Sequence, residues 1–311
     1  ENARFGYGPR DITINPSGDQ LAVAVSQHRS EIHVLDGSTG KTQVTIDSTG
    51  TEHLLFSNDG RQLFITKARE VMLYDMNYRK VLHTWTLPGS RTAHIVGMVN
   101  HPLEDGVIVL DREGRLLKFQ RNRLDLPAEL VATLNVGAAG RIRTYGNNLL
   151  ICGGRKSHLV STKGKVLQSY GLHLARTSDA LPVGDTILST GWDSMVGFWG
   201  QDDGRERARL YSLKNGKEWL ITSPDYNFDG SQEAQNLLEW RWNGELYQVS
   251  RFFEKFYEPG LLSRVVSERA RTVQTSPTPR TALGSRPPTV KIAQPKALTG
   301  GEYEVKLEIE G

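Results

Sequence analysis

The chain has 311 residues, 38% apolar and 23% charged, a composition that suits a folded protein and argues against disorder as the default state. Its 38 basic residues nearly cancel 35 acidic ones, and the formal charge of +3 gives no bulk electrostatic case for nucleic acid or an acidic membrane. The single cysteine, Cys152, excludes an internal disulfide and a thiolate cluster for zinc.

No run of eighteen apolar residues is present to span a membrane, and the opening "ENARFGYGPR" lacks the basic start and apolar stretch of a signal peptide. With one cysteine and no targeting segment, the expected location is the cytoplasm. The first residue is Glu1, not Met, which fits a processed or trimmed piece of a longer chain.

In chain order, the first 85 residues hold a repeat. "ITINPSGDQLAVAV" (12–25) and "LLFSNDGRQLFIT" (54–66) each set an apolar residue before a polar turn and a leucine after it, so Ile14 and Leu21 correspond to Phe56 and Leu63. "EIHVLDGSTGKTQVTI" (31–46) and "EVMLYDMNYRKVLHTW" (70–85) then repeat a strand ending in aspartate, a short turn and a further strand, with Asp36 equivalent to Asp75. A period of about 40 residues, built from short alternating segments between Gly, Asn and Asp turns, predicts four-stranded propeller blades. The pattern continues through 106–120, 147–170 and 185–210, giving five blade-like units by residue 213. Such units close a ring by themselves or with a further, incomplete blade from "WLIT" (219–222) and "ARFGYG"; the competing fold is an irregular β-sandwich.

"PDYNFDGS" (224–231) spaces Asp225, Asn227 and Asp229 like the opening of a calcium loop. Position twelve, where a bidentate Glu belongs, is Asn236, and the segment before is strand-like. A strand-turn-helix is the preferred reading, with Tyr226 and Phe228 anchoring the turn in a core and Asp229 or Ser231 capping a helix that begins near Glu233. "EAQNLLEWRW" and "VSRFFEKFYEPGLLSRVV" fit helical spacing better than alternation, and Pro259 and Gly260 split the second into two short helices. Residues 267–288, rich in Ser, Thr, Arg and Pro, predict an exposed linker. "TVKIAQP" and "EYEVKLEIEG" are two alternating strands.

The blade pattern over residues 8–214 resembles the WD-repeat family of β-propellers, most closely in "LSTGWDSMVGFW" (188–199), where Trp192, Asp193 and Trp199 sit much as in a blade's third strand and turn. The stretch 218–266, through Trp219, Phe228, Asp229, Ser231, Trp240 and the pair of segments from Phe253, is similar to the segment that joins a propeller to a caspase-like peptidase domain in large bacterial proteins of the metacaspase-related kind. "RPPTVKIAQP" (286–295) looks like the opening of the immunoglobulin-like domain that often follows in them. The resemblance implies a propeller used for sensing or recruitment beside a protease, with the protease itself outside this sequence.

Residue chemistry offers little to an enzyme. Cys152, with His158 six residues on, lies inside the apolar run "LLICGG", where cysteine behaves as a small buried hydrophobe. The histidine pairs His28/His33 and His94/His101 lack metal-motif spacing, and "GGRK" (153–156) lacks the context of a phosphate loop. Basic clusters at 121–123, 141–143 and 205–209 are not interleaved with aromatics, which argues against a nucleic-acid surface.

The expected fold is therefore all-β: a WD-repeat-like propeller of five or more blades (1–231), a small helical extension (232–266), a linker (267–288) and a C-terminal strand pair (289–311) belonging to an incomplete immunoglobulin-like domain. The expected function is non-catalytic protein binding, without cofactor or metal. Tyr78, Arg143, Trp192 and Arg205 are the candidate partner contacts, because aromatics and guanidinium groups contribute most at interfaces. The alternative is a regulatory subunit, fragment or substrate of a caspase-like protease system, cleaved at Arg269, Arg271 or Arg280.

Overall fold

The computed structural model describes residues 9–25, 31–89, 94–242, 245–249, 253–267, 289–292, 296–297, 303–304 and 307–310. The chain divides into two compact units, Glu1–Lys217 and Glu218–Gly311.

The first unit is a succession of antiparallel meanders. Strands β1 (Pro9–Ile14), β2 (Gln20–Val25), β3 (Glu31–Asp36) and β4 (Thr42–Asp47) pair in chain order, as do β5 (Thr51–Phe56), β6 (Gln62–Lys67), β7 (Glu70–Asp75) and β8 (Lys80–Thr86). Ile14 faces Leu21 and Phe56 faces Leu63, so the residues that match in sequence are the closing pairs of equivalent hairpins. Both hairpins are shut by the polar residue that follows: Asn15 Oδ1 accepts from the Gln20 amide at 3.0 Å, and Ser57 Oγ accepts from the Gln62 amide at 3.1 Å. Asp36 and Asp75 likewise end their strands and accept two turn amides each, from Ser38 and Thr39 and from Asn77 and Tyr78. A short side-chain acceptor fits there because it replaces the ladder partner that the turning backbone loses.

Three further meanders follow. They are β9 (Ile95–Asn100), β10 (Gly106–Asp111), β11 (Arg115–Gln120) and β12 (Glu129–Thr133); then β13 (Ala139–Tyr145), β14 (Asn148–Gly153), β15 (Lys156–Ser161) and β16 (Val166–Tyr170); then β17 (Thr177–Val183), β18 (Thr186–Gly191), β19 (Met195–Gly200) and β20 (Glu206–Leu213). Four apolar cores join successive blades face to face. Ile32 and Val34 meet Phe56 and Ile65; Leu73 and Trp85 meet Val107 and Phe119; Ile108 and Leu110 meet Leu149 and Ile151; Cys152 and Tyr170 meet Ile187 and Trp199. Being covered on both faces, β10 has all six residues buried, and its run "GVIVLD" is correspondingly almost unbroken in apolar character. The first strand of each blade neighbours the first strand of the next, from β1 through β5, β9 and β13 to β17, so these five line the axis. The outward faces of β1 and β17 are less covered, with Ile14 62% and Leu181 42% exposed.

The second unit opens with the hairpin β21 (Glu218–Thr222) and β22 (Phe228–Gly230), followed by the one-turn helix α1 (Gln232–Gln235). Here the helical expectation for "EAQNLLEWRW" fails: β23 (Glu239–Trp242) and β24 (Glu245–Gln248) form an antiparallel hairpin. Tryptophans at alternate positions 240 and 242 favour a strand, and Asn243 and Gly244, between the two in sequence, are the dipeptide most favoured in two-residue hairpin connections. Farther on, α2 (Phe253–Phe256) and α3 (Leu261–Ser267) flank Pro259 and Gly260 as expected. Phe228, Val249 and Phe256 form the unit's core, with Phe253 stacked on Tyr257 at 4.3 Å. At the C-terminal end, β25 (Thr289–Ile292) pairs with β28 (Leu307–Glu310), and β26 (Lys296–Ala297) pairs with β27 (Tyr303–Glu304). Residues 268–288, with Arg269, Arg271 and Arg280, lie outside the described residues.

Candidate functional site

The fifth blade holds an arrangement with the composition of a hydrolase triad. His173, just before β17, places Nδ1 3.1 Å from Asp193 Oδ1 in the β18–β19 turn and Nε2 2.7 Å from Ser189 Oγ on β18. Ser189 Oγ also accepts from the Trp199 indole at 2.8 Å, so the chain runs Trp199 N–H to Ser189, Ser189 O–H to His173 Nε2, and His173 Nδ1–H to Asp193. His173 and Ser189 are fully buried, and the hydroxyl that a nucleophile would use is committed at both ends. The network therefore braces the blade. Burial opposes charge on Asp193, but hydrogen bonds from His173 and the Leu174 amide outweigh it and keep the carboxyl below its ordinary range. Glycine makes the space: a Cβ at Gly191 would lie 2.4 Å from His173 Nδ1, and one at Gly197 would lie 2.5 Å from the Trp199 ring.

Cys152 is buried in β14, and burial pushes its thiol up to about 11, the opposite of an activated nucleophile. His158 bonds Ser169 Oγ at 2.9 Å instead of approaching the thiol, whose neighbour is Ser157 Oγ at 3.6 Å. Among the described residues no group of three or more His, Cys, Asp or Glu side chains could hold a metal ion. In the calcium-like stretch, Asn227 donates to Glu258 at 2.7 Å and Asp229 Oδ2 accepts from the Gly260 amide at 2.8 Å, so these side chains tie the β22 turn to the start of α3. Two expectations for this stretch need correction. Tyr226 is 46% exposed, leaving Phe228 as the core anchor, and Ser231 stands at the N-cap of α1 without a side-chain cap bond because its hydroxyl engages Glu218 and the Trp219 amide.

The space that remains open is axial. A channel of about 450 Å³ is lined by all five inner strands, through residues such as Asp11, His53, Met98, Arg143 and Leu181. Its charged groups have partners: Arg143 grips Asp179 at 2.6 and 3.0 Å, Arg141 reaches the same carboxylate at 3.2 Å, and Asp11 accepts from the Leu54 amide at 2.7 Å with His53 3.8 Å away. Burial holds His53 below the usual imidazole range despite the nearby Asp11 and Glu52 carboxylates. At the end where the inner strands begin, the channel widens into a mouth of about 610 Å³ bordered by Arg10, Glu52, His53, His94, Arg112 and Arg176. Three guanidinium groups thus face one carboxylate. Arg176 is steadied by donating to the Ala139 carbonyl at 2.9 Å, whereas Arg10 and Arg112 are exposed and form no ion pair among the described residues.

The four residues predicted as partner contacts fall in three places. Trp192, 76% exposed, sits in the β18–β19 turn at the mouth end, its amide bonded to the Arg176 carbonyl at 3.0 Å. Arg143 is inside the channel on Asp179. Tyr78, 76% exposed, and Arg205, 84% exposed, occupy connections between third and fourth strands, which antiparallel pairing puts at the opposite end. The arginines of the mouth went unrecognised in sequence because Arg10, Arg112 and Arg176 are isolated in the chain and converge only through the ring.

No family model matches this chain, and no curated protein matches it. Among solved structures, the chain is similar to the β-propeller domain of Cps50 (Swd1) from Myceliophteria thermophila, with a TM-score of 0.52 and 14% identity over 72% of this chain and 84% of that one. At that identity the likeness is one of fold: the chain is an all-β protein with a β-propeller fold. No described helix is long and apolar enough to cross a membrane.

Proposed function

We propose that the protein is a non-catalytic binding propeller that recruits or regulates a partner protein at the mouth of its funnel. The observation that carries this reading is the cationic cavity of about 610 Å³ at the convergence of five rigid strands. Volume in that range suits recognition of a side chain or short segment, and rigid strands hold the contacting groups in place at little entropic cost. Trp192, beside Arg176 at the rim, adds an exposed aromatic of the type that anchors interfaces. The single cysteine supports a cytoplasmic setting.

The test is site-specific photo-crosslinking in the native cell, with the reactive group at Arg112 or Trp192 and, as controls, at Tyr78 or Arg205. One protein recovered from both mouth positions and from neither control is the expected result; equal recovery from all four positions would discard the mouth as the recruiting site.

A second reading, favoured by the likeness of 218–266 to segments beside caspase-like domains in bacterial proteins, makes the chain a regulatory part of such a protease system. Its protease would cut at Arg269, Arg271 or Arg280, and survival of 267–288 through incubation with that enzyme would count against it.

A further inference from the structure

We infer that the funnel mouth recognises an acidic peptide segment, with the partner's carboxylates taken up by Arg10, Arg112 and Arg176. The inference rests on the recruiting role proposed above and specifies its ligand chemistry. In the channel below the mouth the charged side chains are engaged: Asp179 answers Arg141 and Arg143, and Asp11 accepts from the Leu54 amide at 2.7 Å. The mouth differs: among the described residues three arginines border it with Glu52 as the one acidic residue in its lining, and Arg10 and Arg112 have no ion-pair partner. Guanidinium groups held at the ends of paired strands match carboxylates in a two-point geometry, and a cavity mouth with low-dielectric walls concentrates the field that draws them in.

Carboxylate and phosphate share this geometry, and the rest of the site decides between their sources. Val96, half-buried, lines the same mouth and gives an aliphatic contact that a peptide's side chains use and a free phosphate does not. A single strand of nucleic acid calls for successive stacking platforms, whereas among the described residues the lining has no Phe, Tyr or Trp and the rim supplies Trp192 alone. Glu52 repels any anion from one side, so the acidic groups are expected to bind on the Arg10, Arg112 and Arg176 side.

The experiment is fluorescence anisotropy of the full chain with a labelled decapeptide of alternating Glu and Asp, compared with a Ser-Gly peptide of equal length, inorganic phosphate and an oligouridine. Saturable binding of the acidic peptide, lowered about tenfold or more by R10S with R112S and left unchanged by R205S at the opposite end, is expected. Binding should also weaken as salt rises. An unaltered affinity in the double variant overturns the inference, as does an oligouridine that binds more tightly through the same arginines or phosphate that competes as well as peptide. Should crosslinking capture a partner at the mouth while R10S with R112S leaves its binding intact, the acidic-peptide inference fails and the recruiting role stands. If the unmutated chain gives neither a mouth-specific crosslink nor acidic-peptide binding, both readings fall. Melting of the double variant at the wild-type temperature guards against misfolding, and the charge reversal R112E should abolish peptide binding.

Discussion

At the scale of single residues, the same three side-chain types that make a nucleophile elsewhere make a brace here. Ser189 cannot lend its proton to a reaction because Trp199 and His173 already use the hydroxyl as acceptor and donor, and both are out of reach of solvent. The consequence is energetic. S189A leaves a buried indole N–H and a buried imidazole nitrogen without partners, at a cost of about 1–3 kcal/mol for each orphaned group. Urea denaturation should show the loss with an unchanged m-value, and a change below about 0.5 kcal/mol would mean that the network is incidental. Part of this site was legible beforehand, since Asp193 and Trp199 fall in the stretch that resembles a WD repeat. Ser189 falls in that stretch as well but drew no notice there, and His173 lies outside it, 20 and 16 residues from Asp193 and Ser189, brought to them only by the antiparallel ladder.

At the scale of elements, the blades solve one problem in two ways. The link from one blade's outer strand to the next blade's inner strand has free carbonyls near the mouth end. In the fifth blade, His173 and Asp193 secure that link. Arg155 adds a bond to the His173 carbonyl in that same link, and between the second and third blades arginines act without the histidine: Arg69, in the β6–β7 turn, donates to the Leu87 and Gly89 carbonyls at 2.6 and 2.9 Å, and Arg115 donates to Pro88 at 3.0 Å. This substitution explains why the repeat signature fades in the sequence although the blades persist.

Between the fourth and fifth blades, Asp179 joins Arg141 and Arg143 across inner strands. Burial raises its pKa, but the Arg143 hydrogen bonds and both guanidinium charges bring the net shift down. A depressed folded pKa stabilises above the unfolded value of about 3.9 and loses that contribution as pH falls through the folded value. D179N should therefore be less stable than wild type at neutral pH by about 1 kcal/mol or less, given the exposure of both arginines, and the two curves should converge in acid. A difference that persists unchanged at low pH would assign the effect to something other than charge.

At the scale of the whole molecule, stability in the propeller unit comes from four cores between blades rather than from any blade alone. Ile32, fully buried between the first two blades, and Ile14, 62% exposed on the outward face of β1, are one residue type in one blade with opposite burdens. I32A should cost about 2–5 kcal/mol through a cavity, and I14A about 0.5 kcal/mol or less, as read by thermal or chemical denaturation. Comparable losses would mean that the outward face of the first blade is covered.

The propeller fold, the period of about 40 residues and five blade-like units could be read from the sequence, because strand alternation and turn chemistry are local and recur; whether a further blade followed could not. The core anchor Phe228 and the break between the two last helices were legible too. The hairpin at 239–248 was misread as helix, since a few aromatic residues near a polar segment satisfy either periodicity until a partner strand selects one. The burial of Cys152 followed from its apolar run, but whether His158 and the Ser189 group face solvent, and which arginines share a cavity, only the tertiary structure decided. Those properties depend on which blades stack and how five distant strand ends meet, and no local spacing in the chain encodes that convergence.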